Sequence, residues 1–228
     1  RISPSIFERM DPALKRTARG FDRLSGIYDG LVRLVYGGSL QNAQLALLPE
    51  LREAESVLII GGGTGWFLEA VLRNCPRARV TYVELSGKML ARSQARIGPE
   101  ARERVEWVQG TLWDLEAGRR FDAICTMFYL DLFDGEILEQ HVSRLGEMMN
   151  DSGQWLVCDF YKVESGWMRP ASRALIWIMY RFFRSLTGIG ARDLAYFPDN
   201  LTAVDLEQAY EQTLYGRMIR AQLYSRKV

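Results

Sequence analysis

Three observations predict an α/β domain with a mostly parallel sheet between two layers of helices. Apolar runs of strand length alternate with segments of helical periodicity from 56 to 160. The first run ends in Gly61-Gly62-Gly63-Thr64-Gly65. Two further strand-like segments follow one another directly near the end of the chain. Alternation of this kind builds βαβ units and a parallel sheet covered on both faces, whereas two successive strands add an antiparallel pair.

The first strand, 56–60, is a continuous apolar run, and Trp66, Phe67, Ala70 and Val71 recur behind it at helical spacing. Strands are expected at 79–84, 105–109, 121–126 and 154–160, with helices at 88–97 and 136–149. In the latter helix Ile137, Leu138, Val142, Leu145 and Met149 share one side. Ahead of this core, residues 4–48 carry apolar side chains at helical spacing, broken by Gly26, Gly30 and Gly37-Gly38. They predict two or three short helices. Behind it, 173–186 is a very apolar helical stretch containing Arg173, Arg181 and Arg184. Segments 206–215 and 217–226 read as strands joined in a tight hairpin at Tyr215-Gly216. The expected organisation is one domain over 1–228: a helical lid at 1–50, a core at 56–160, a helical cap at 161–200 and a hairpin at 201–228.

Composition narrows the function. Lys and Arg number 29 against 28 Asp and Glu, so the net charge of +1 argues against a protein that holds nucleic acid by neutralising phosphates. Cys75, Cys125 and Cys158 are far apart, and two of them lie within predicted strands, so buried thiols in a reducing compartment are expected. No run is long enough to cross a bilayer and no signal-peptide pattern is present, so a soluble cytoplasmic protein is the expectation. No cluster has metal-ligand spacing, and nothing marks a covalent nucleophile.

The glycine loop carries the chemistry. A glycine at a strand-to-helix turn lets the backbone approach a ligand, and the helix behind it offers free N–H groups. The spacing is GxGxG; a dinucleotide site needs GxGxxG, and its third glycine is here Trp66. A nucleoside with a small zwitterionic tail suits this loop better than a pyrophosphate, which disfavours an NAD-dependent oxidoreductase. Glu84 ends the second strand about 20 residues beyond the loop, where a carboxylate can accept from both hydroxyls of a ribose.

VLIIGGGTG (57–65), YVELS (82–86), VQGTLWD (108–114) and FDAICTMFYLD (121–131) resemble, in order and spacing, the motifs of class I S-adenosylmethionine-dependent methyltransferases. The resemblance covers 56–160. It implies a three-layer Rossmann-like fold with a seven-stranded, mostly parallel sheet and S-adenosyl-L-methionine as cofactor. Gly61, Gly62, Gly63 and Gly65 would line its methionine end and Glu84 its ribose. Leu85 and Met89 would pack near the adenine, Thr111 and Leu112 would border its edge, and Thr126 would sit beneath the methionine moiety. A shorter stretch, FDRLSGIYDGLVRL (21–34), is similar to the helix before the core in ubiquinone and menaquinone C-methyltransferases, where the pair matching Tyr28 and Asp29 helps cover the cofactor.

Two positions depart from the pattern. The family's acid two residues before the glycine loop is Ile59, which keeps open a rival reading: a regulator or partner subunit that binds the cofactor without turnover. The adenine-edge acid is Thr111, with Asp114 nearby as a substitute. Methyl transfer is an in-line displacement that needs a base only when the acceptor loses a proton. Tyr129, Asp131, Asp159 and Tyr161, just past the fourth and fifth strands, are the candidates, each equally readable as a packing or capping residue. His141 reads as a packing residue. The 173–186 helix reads as a cap over the acceptor, with Trp177 or Tyr180 facing the pocket, or as an interfacial helix on a membrane. The Trp, Tyr, Phe and Met of the predicted cap point to a small, apolar or aromatic acceptor.

Overall fold

The computed structural model describes residues 11–26, 30, 36–161, 163, 170, 173–179, 181, 201 and 204–227. Seven strands form one sheet: β1 Ser56–Ile60, β2 Arg79–Glu84, β3 Val105–Gln109, β4 Phe121–Met127, β5 Met149–Phe160, β6 Leu206–Leu214 and β7 Ile219–Arg226. Their order is β3-β2-β1-β4-β5-β7-β6. β1 to β5 pair in parallel, and β7 pairs antiparallel with both β5 and β6. The sheet therefore reverses its winding between β1 and β4, and the glycine loop leaves the carboxyl end of β1 at that point. Open α/β sheets bind ligands in such a crevice.

The helices are α1 Pro12–Leu24, α2 Ser39–Ala46, α3 Trp66–Asn74, α4 Gly87–Arg96, α5 Pro99–Arg102 and α6 Gly135–Glu147. Residues 173–179 are also helical. Alternation along the central strands sends Val57, Ile59, Tyr82, Cys125, Leu156 and Cys158 to one face, where they meet Leu40 and Ala43 of α2, Phe67 and Val71 of α3, Leu90 of α4 and Ile176. Leu58, Ile60, Val83, Ile124, Trp155 and Val157 face the other side, against Leu138, Val142 and Leu145 of α6. Each central strand is buried on both faces, which is why it reads as an unbroken apolar run. All three cysteines are buried and unpaired.

The hairpin departs from expectation in its turn. Four residues, Tyr215 to Met218, separate β6 from β7, with Met218 N–H donating to Tyr215 O at 3.1 Å. Tyr215, Gly216 and Arg217 all adopt positive φ (49°, 62° and 70°), a longer and more strained connection than the two-residue turn expected. Strand β5 also begins five residues earlier than predicted, because Met149 at its polar start already pairs with Phe121.

At the N-terminus α1 confirms helix over 12–24, whereas Phe7, Met10, Tyr28, Asp29, Leu31, Leu34 and Val35 lie outside the described residues. So do Tyr180 and Arg184 of the predicted cap. Within 173–179 the outcome differs from the expected orientation. Leu175, Ile176 and Met179 pack inward, and Trp177 faces outward at 63% exposure. No helix among the described residues is long and apolar enough to cross a membrane.

Candidate functional site

The four glycines of the loop are required for different reasons. Gly61, Gly63 and Gly65 adopt positive φ of 64°, 64° and 80°. A Cβ on Gly61 would lie 2.6 Å from Cδ2 of Tyr129, and one on Gly65 would lie 2.8 Å from Cα of Ser93 in α4. A Cβ on Gly62 would enter the ring of Tyr82. Only Gly63 faces open space, with nothing within 4 Å of its would-be Cβ. Three glycines thus let the loop settle onto the domain, and the fourth leaves room above it.

The loop is also tied down. The Tyr82 hydroxyl and Ser93 Oγ lie 2.8 Å apart, and each reaches Gly63 O, at 3.0 and 2.9 Å. Arg96 Nε donates to Thr64 O at 3.0 Å. Tyr82 and Ser93 escaped the sequence reading; Tyr82 lies within the quoted YVELS, but nothing in the string tells that its hydroxyl returns to the loop. Gly62→Ala should destabilise the protein by about 1–3 kcal/mol through overpacking against a ring that is itself fixed. Gly63→Ala should cost only the left-handed backbone penalty of about 1–2 kcal/mol, with no clash. Thermal melts of the two variants measure the difference.

Glu84 is 5% exposed at the end of β2. Its Oε2 accepts from Gly63 N–H and its Oε1 from Ser86 N–H, both at 2.7 Å. Burial pushes its pKa up to about 7 despite these bonds, and Asp22 adds a smaller push in the same direction. Asp22, on α1, accepts from Ser86 Oγ at 2.5 Å and from Lys88 N–H at 3.1 Å. Ser86 Oγ in turn accepts from Met89 N–H at 3.1 Å as the N-cap of α4. The N-terminal helix is therefore docked on the turn that holds Glu84. Asp22 lies in the 21–34 stretch, ahead of the Tyr28-Asp29 pair, and its spacing along the chain gives no sign of this contact.

Along the neighbouring edge, Leu85 is half-buried, and Met89 and Leu112 are buried. Thr111 and Asp114 form one unit. The Asp114 carboxylate accepts from Thr111 N–H at 2.7 Å and from its hydroxyl at 2.9 Å, and Thr111 Oγ1 accepts from Trp113 N–H. This capping box starts the turn Leu112–Asp114. It also demands Gly110, where a Cβ would lie 2.6 Å from Asp114 Oδ2. Thr126 is fully buried, with its hydroxyl accepting from the Trp155 indole N–H at 3.0 Å. Ile59 is buried between Tyr82 and Cys125 in register.

Of the four proton-handling candidates, the fold brings Asp131 and Asp159 together. They are 4% and 0% exposed at the carboxyl ends of β4 and β5, in hydrogen-bond contact, and Leu130 N–H donates to Asp159 Oδ2 at 3.3 Å. Burial raises both; Asp131 reaches about 6, and Asp159 goes well above its ordinary value, with the Asp131 charge as second cause. Two buried carboxyls this close disfavour being charged together. Tyr129 packs under Gly61 and edge-on to Phe133, at 5.1 Å between centroids. Tyr161 donates to Gln222 Oε1 under the Arg220 guanidinium, 4.2 Å above its ring. Burial drives both phenols far above their ordinary pKa. His141 stacks on Phe133 at 4.0 Å with Nδ1 bonded to Ile137 O, and burial lowers its pKa.

A cleft of about 420 Å³ opens at the opposite, amino ends of the strands, beside Arg79, Arg104, Arg119 and Arg120. Two of these arginines are structural. Arg119 is paired with Glu106 at 2.6 Å, and Arg104 is bonded to carbonyls of residues 72–78.

The model of a methyltransferase domain family matches residues 57–153, the span from β1 into β5 that carries the glycine loop, Glu84 and the Asp131 turn. Over that stretch, less than half of its length, the chain is similar to this methyltransferase domain family. Over 118 residues, half of this methyltransferase-fold chain, it is 31% identical to the ubiquinone/menaquinone biosynthesis C-methyltransferase UbiE of Paracoccus denitrificans, and the match spans only 42% of that enzyme's length. Among solved structures it resembles the 1,6-didemethyltoxoflavin-N1-methyltransferase of Burkholderia thailandensis, with a TM-score of 0.69 at 17% identity over 96% of this chain and 92% of the other. An O-methyltransferase from neocarzinostatin biosynthesis, NcsB1, has a TM-score of 0.64 at 17% identity over 90% and 59% of the two chains. At these identities the likeness to solved structures is one of fold.

Proposed function

We propose that this protein transfers the methyl group of S-adenosyl-L-methionine to a small apolar or aromatic acceptor. The observation that carries the reading is the pairing of Glu84 with the one loop glycine, Gly63, that faces open space. The residues fit the cofactor. Gly63 leaves room for its methionine end, and Glu84, whose oxygens already take the backbone N–H groups of Gly63, Leu85 and Ser86, keeps one lone pair for a ribose hydroxyl. Leu85, Met89 and Leu112 supply an apolar edge for the adenine, beside the Thr111–Asp114 unit. Tyr28, Gly61, Gly62, Gly65 and Thr126 complete the proposed set. When bound, the cofactor supplies an electrophilic methyl on its sulfonium; positioning by the loop and by Glu84 is this chain's main contribution.

Where the acceptor must lose a proton, the Asp131–Asp159 pair is the group to take it. Tyr129 and Tyr161 are held neutral at working pH, whereas the pair begins to titrate near neutrality. The fold neighbours support the acceptor class: the Burkholderia enzyme was crystallised with 1,6-didemethyltoxoflavin and S-adenosylhomocysteine, and NcsB1 with 1,4-dihydroxy-2-naphthoic acid and the same nucleoside. Ile59, buried where an acid is usual, favours a second reading of cofactor binding without turnover.

The test has two stages. S-adenosylhomocysteine at about a hundred times its Kd should stabilise the protein by roughly 2.7 kcal/mol, and NAD should leave the melt unchanged. Mass spectrometry of a panel of planar hydroxy- and amino-aromatics with S-adenosylmethionine then reads turnover. A shift with NAD alone rejects the proposal. A shift with the nucleoside and no methylated product across the panel favours the non-catalytic reading.

A further inference from the structure

The helical residues 173–179 pack Leu175, Ile176 and Met179 against the domain. The outward stripe, at spacings of three and four, consists of Pro170, Arg173, Ala174, Trp177, Ile178 and Arg181, all exposed. Trp177 is 63% and Ile178 56% exposed, side by side. Single exposed apolar residues are ordinary, but an adjacent Trp and Ile flanked on both sides by arginine are the composition of a helix at a bilayer surface. The Arg181 guanidinium lies 5.6 Å from the Trp177 ring centroid, so its charge and the indole are presented together.

Charge decides the partner. From 165 to 191 the chain carries four arginines and no lysine, aspartate or glutamate. Its total net charge is only +1, so the remainder of the chain is net negative. The segment that exposes Trp177 and Ile178 is thus one of the chain's net-positive stretches, as is 212–228, and in 165–191 the charge flanks exposed apolar side chains on one helix. We propose that this stripe docks the protein on an anionic lipid surface, with the indole and Ile178 entering the headgroup boundary and Arg173 and Arg181 against lipid phosphates. The contact is peripheral.

Docking does not require methyl transfer, so its test uses protein without added cofactor, and either idea can fail alone. Vesicles of mixed phosphatidylglycerol and phosphatidylcholine should sediment the protein, and pure phosphatidylcholine should bind it much less. Raising the salt should release it. Arg173→Gln with Arg181→Gln should weaken binding by roughly 25-fold, about fivefold for each charge at the surface. Trp177→Ser with Ile178→Ser should weaken it by at least about tenfold. Both double variants should melt like the parent, because the side chains they replace are exposed. Failure of the parent protein to bind anionic vesicles, or full binding by either variant, overturns the proposal. A dimer in sedimentation velocity that Trp177→Ser with Ile178→Ser dissociates, without vesicle binding by the parent, would assign the stripe to a second copy of the chain and overturn it equally.

Discussion

Glu84→Gln is expected to weaken S-adenosylhomocysteine binding by about 1.5–3 kcal/mol, the worth of hydrogen bonds to a charged acceptor. The carboxylate serves three backbone donors already, the N–H groups of Gly63, Leu85 and Ser86, and ribose holding requires it to accept from a hydroxyl as well. An amide has one oxygen and turns its NH2 toward one of those donors, so part of the set is lost whichever way it rotates. The pH dependence separates charge from shape. Burial raises the Glu84 pKa to about 7, so in the free protein its carboxylate is incomplete at neutral pH. Affinity should therefore rise with pH through about 7, and binding below that pH should release a proton. The free protein should behave oppositely. Between the ordinary carboxylate range and about 7 the folded state holds a proton that the unfolded chain has lost, so stability falls as pH rises through that window. The Asp131–Asp159 pair pulls in the same direction, and the difference between parent and Glu84→Gln isolates the Glu84 share. Calorimetry in two buffers of different ionisation enthalpy measures both effects. Unaltered affinity in the variant would leave Glu84 with only its structural work on the loop.

Asp131→Asn and Asp159→Asn are each expected to lower kcat by about 10²- to 10⁴-fold on an acceptor that must be deprotonated, the usual worth of a positioned base. Nucleoside affinity should not change, since neither side chain belongs to the proposed cofactor set. Asn is the informative replacement because its NH2 reproduces the donor that a protonated partner supplies, and the buried contact survives. The parent enzyme should show a rising limb in kcat against pH near 6, where burial places Asp131, and that limb should shift in both variants, each of which keeps a single carboxyl. Stability carries the same signature. With the pair raised in the folded state, the parent loses stability as pH climbs above the ordinary carboxylate range, and each Asn variant should lose less. Full kcat with an unshifted profile would return the pair to structure.

Much of the site was legible in the string because its parts are local. Strand β1, the glycines behind it and an acid about 20 residues on lie within one βαβ unit, where spacing along the chain is spacing in space. Glu84, Gly63 and the Thr111–Asp114 cap could be found that way. Tyr82 could not. Its apolar neighbours make it a strand residue, and only the close packing of α4 on the loop reveals that its hydroxyl and Ser93 jointly hold the Gly63 carbonyl. Asp22 was hidden for a related reason: it precedes the strands by a long stretch of chain and reaches Ser86 only because α1 docks there. Trp177 shows the converse. Its aromatic character suggested a pocket-facing ring, yet the helix is rotated so that Leu175, Ile176 and Met179 face the domain.

The sequence by itself determined the layer architecture, the parallel core with its closing hairpin and the glycine turn behind the first strand. Periodicity of two or 3.6 residues and the freedom of glycine are properties of short segments. Tertiary structure alone decided which glycine faces open space and which hydroxyl holds the loop. It also brought Asp131 and Asp159, 28 positions apart, together at the ends of β4 and β5, where burial raises both. Those choices depend on how β4 and β5 align and how α4 packs, through contacts between residues far apart in the chain, and no local pattern encodes the low dielectric that raises a buried carboxyl's pKa.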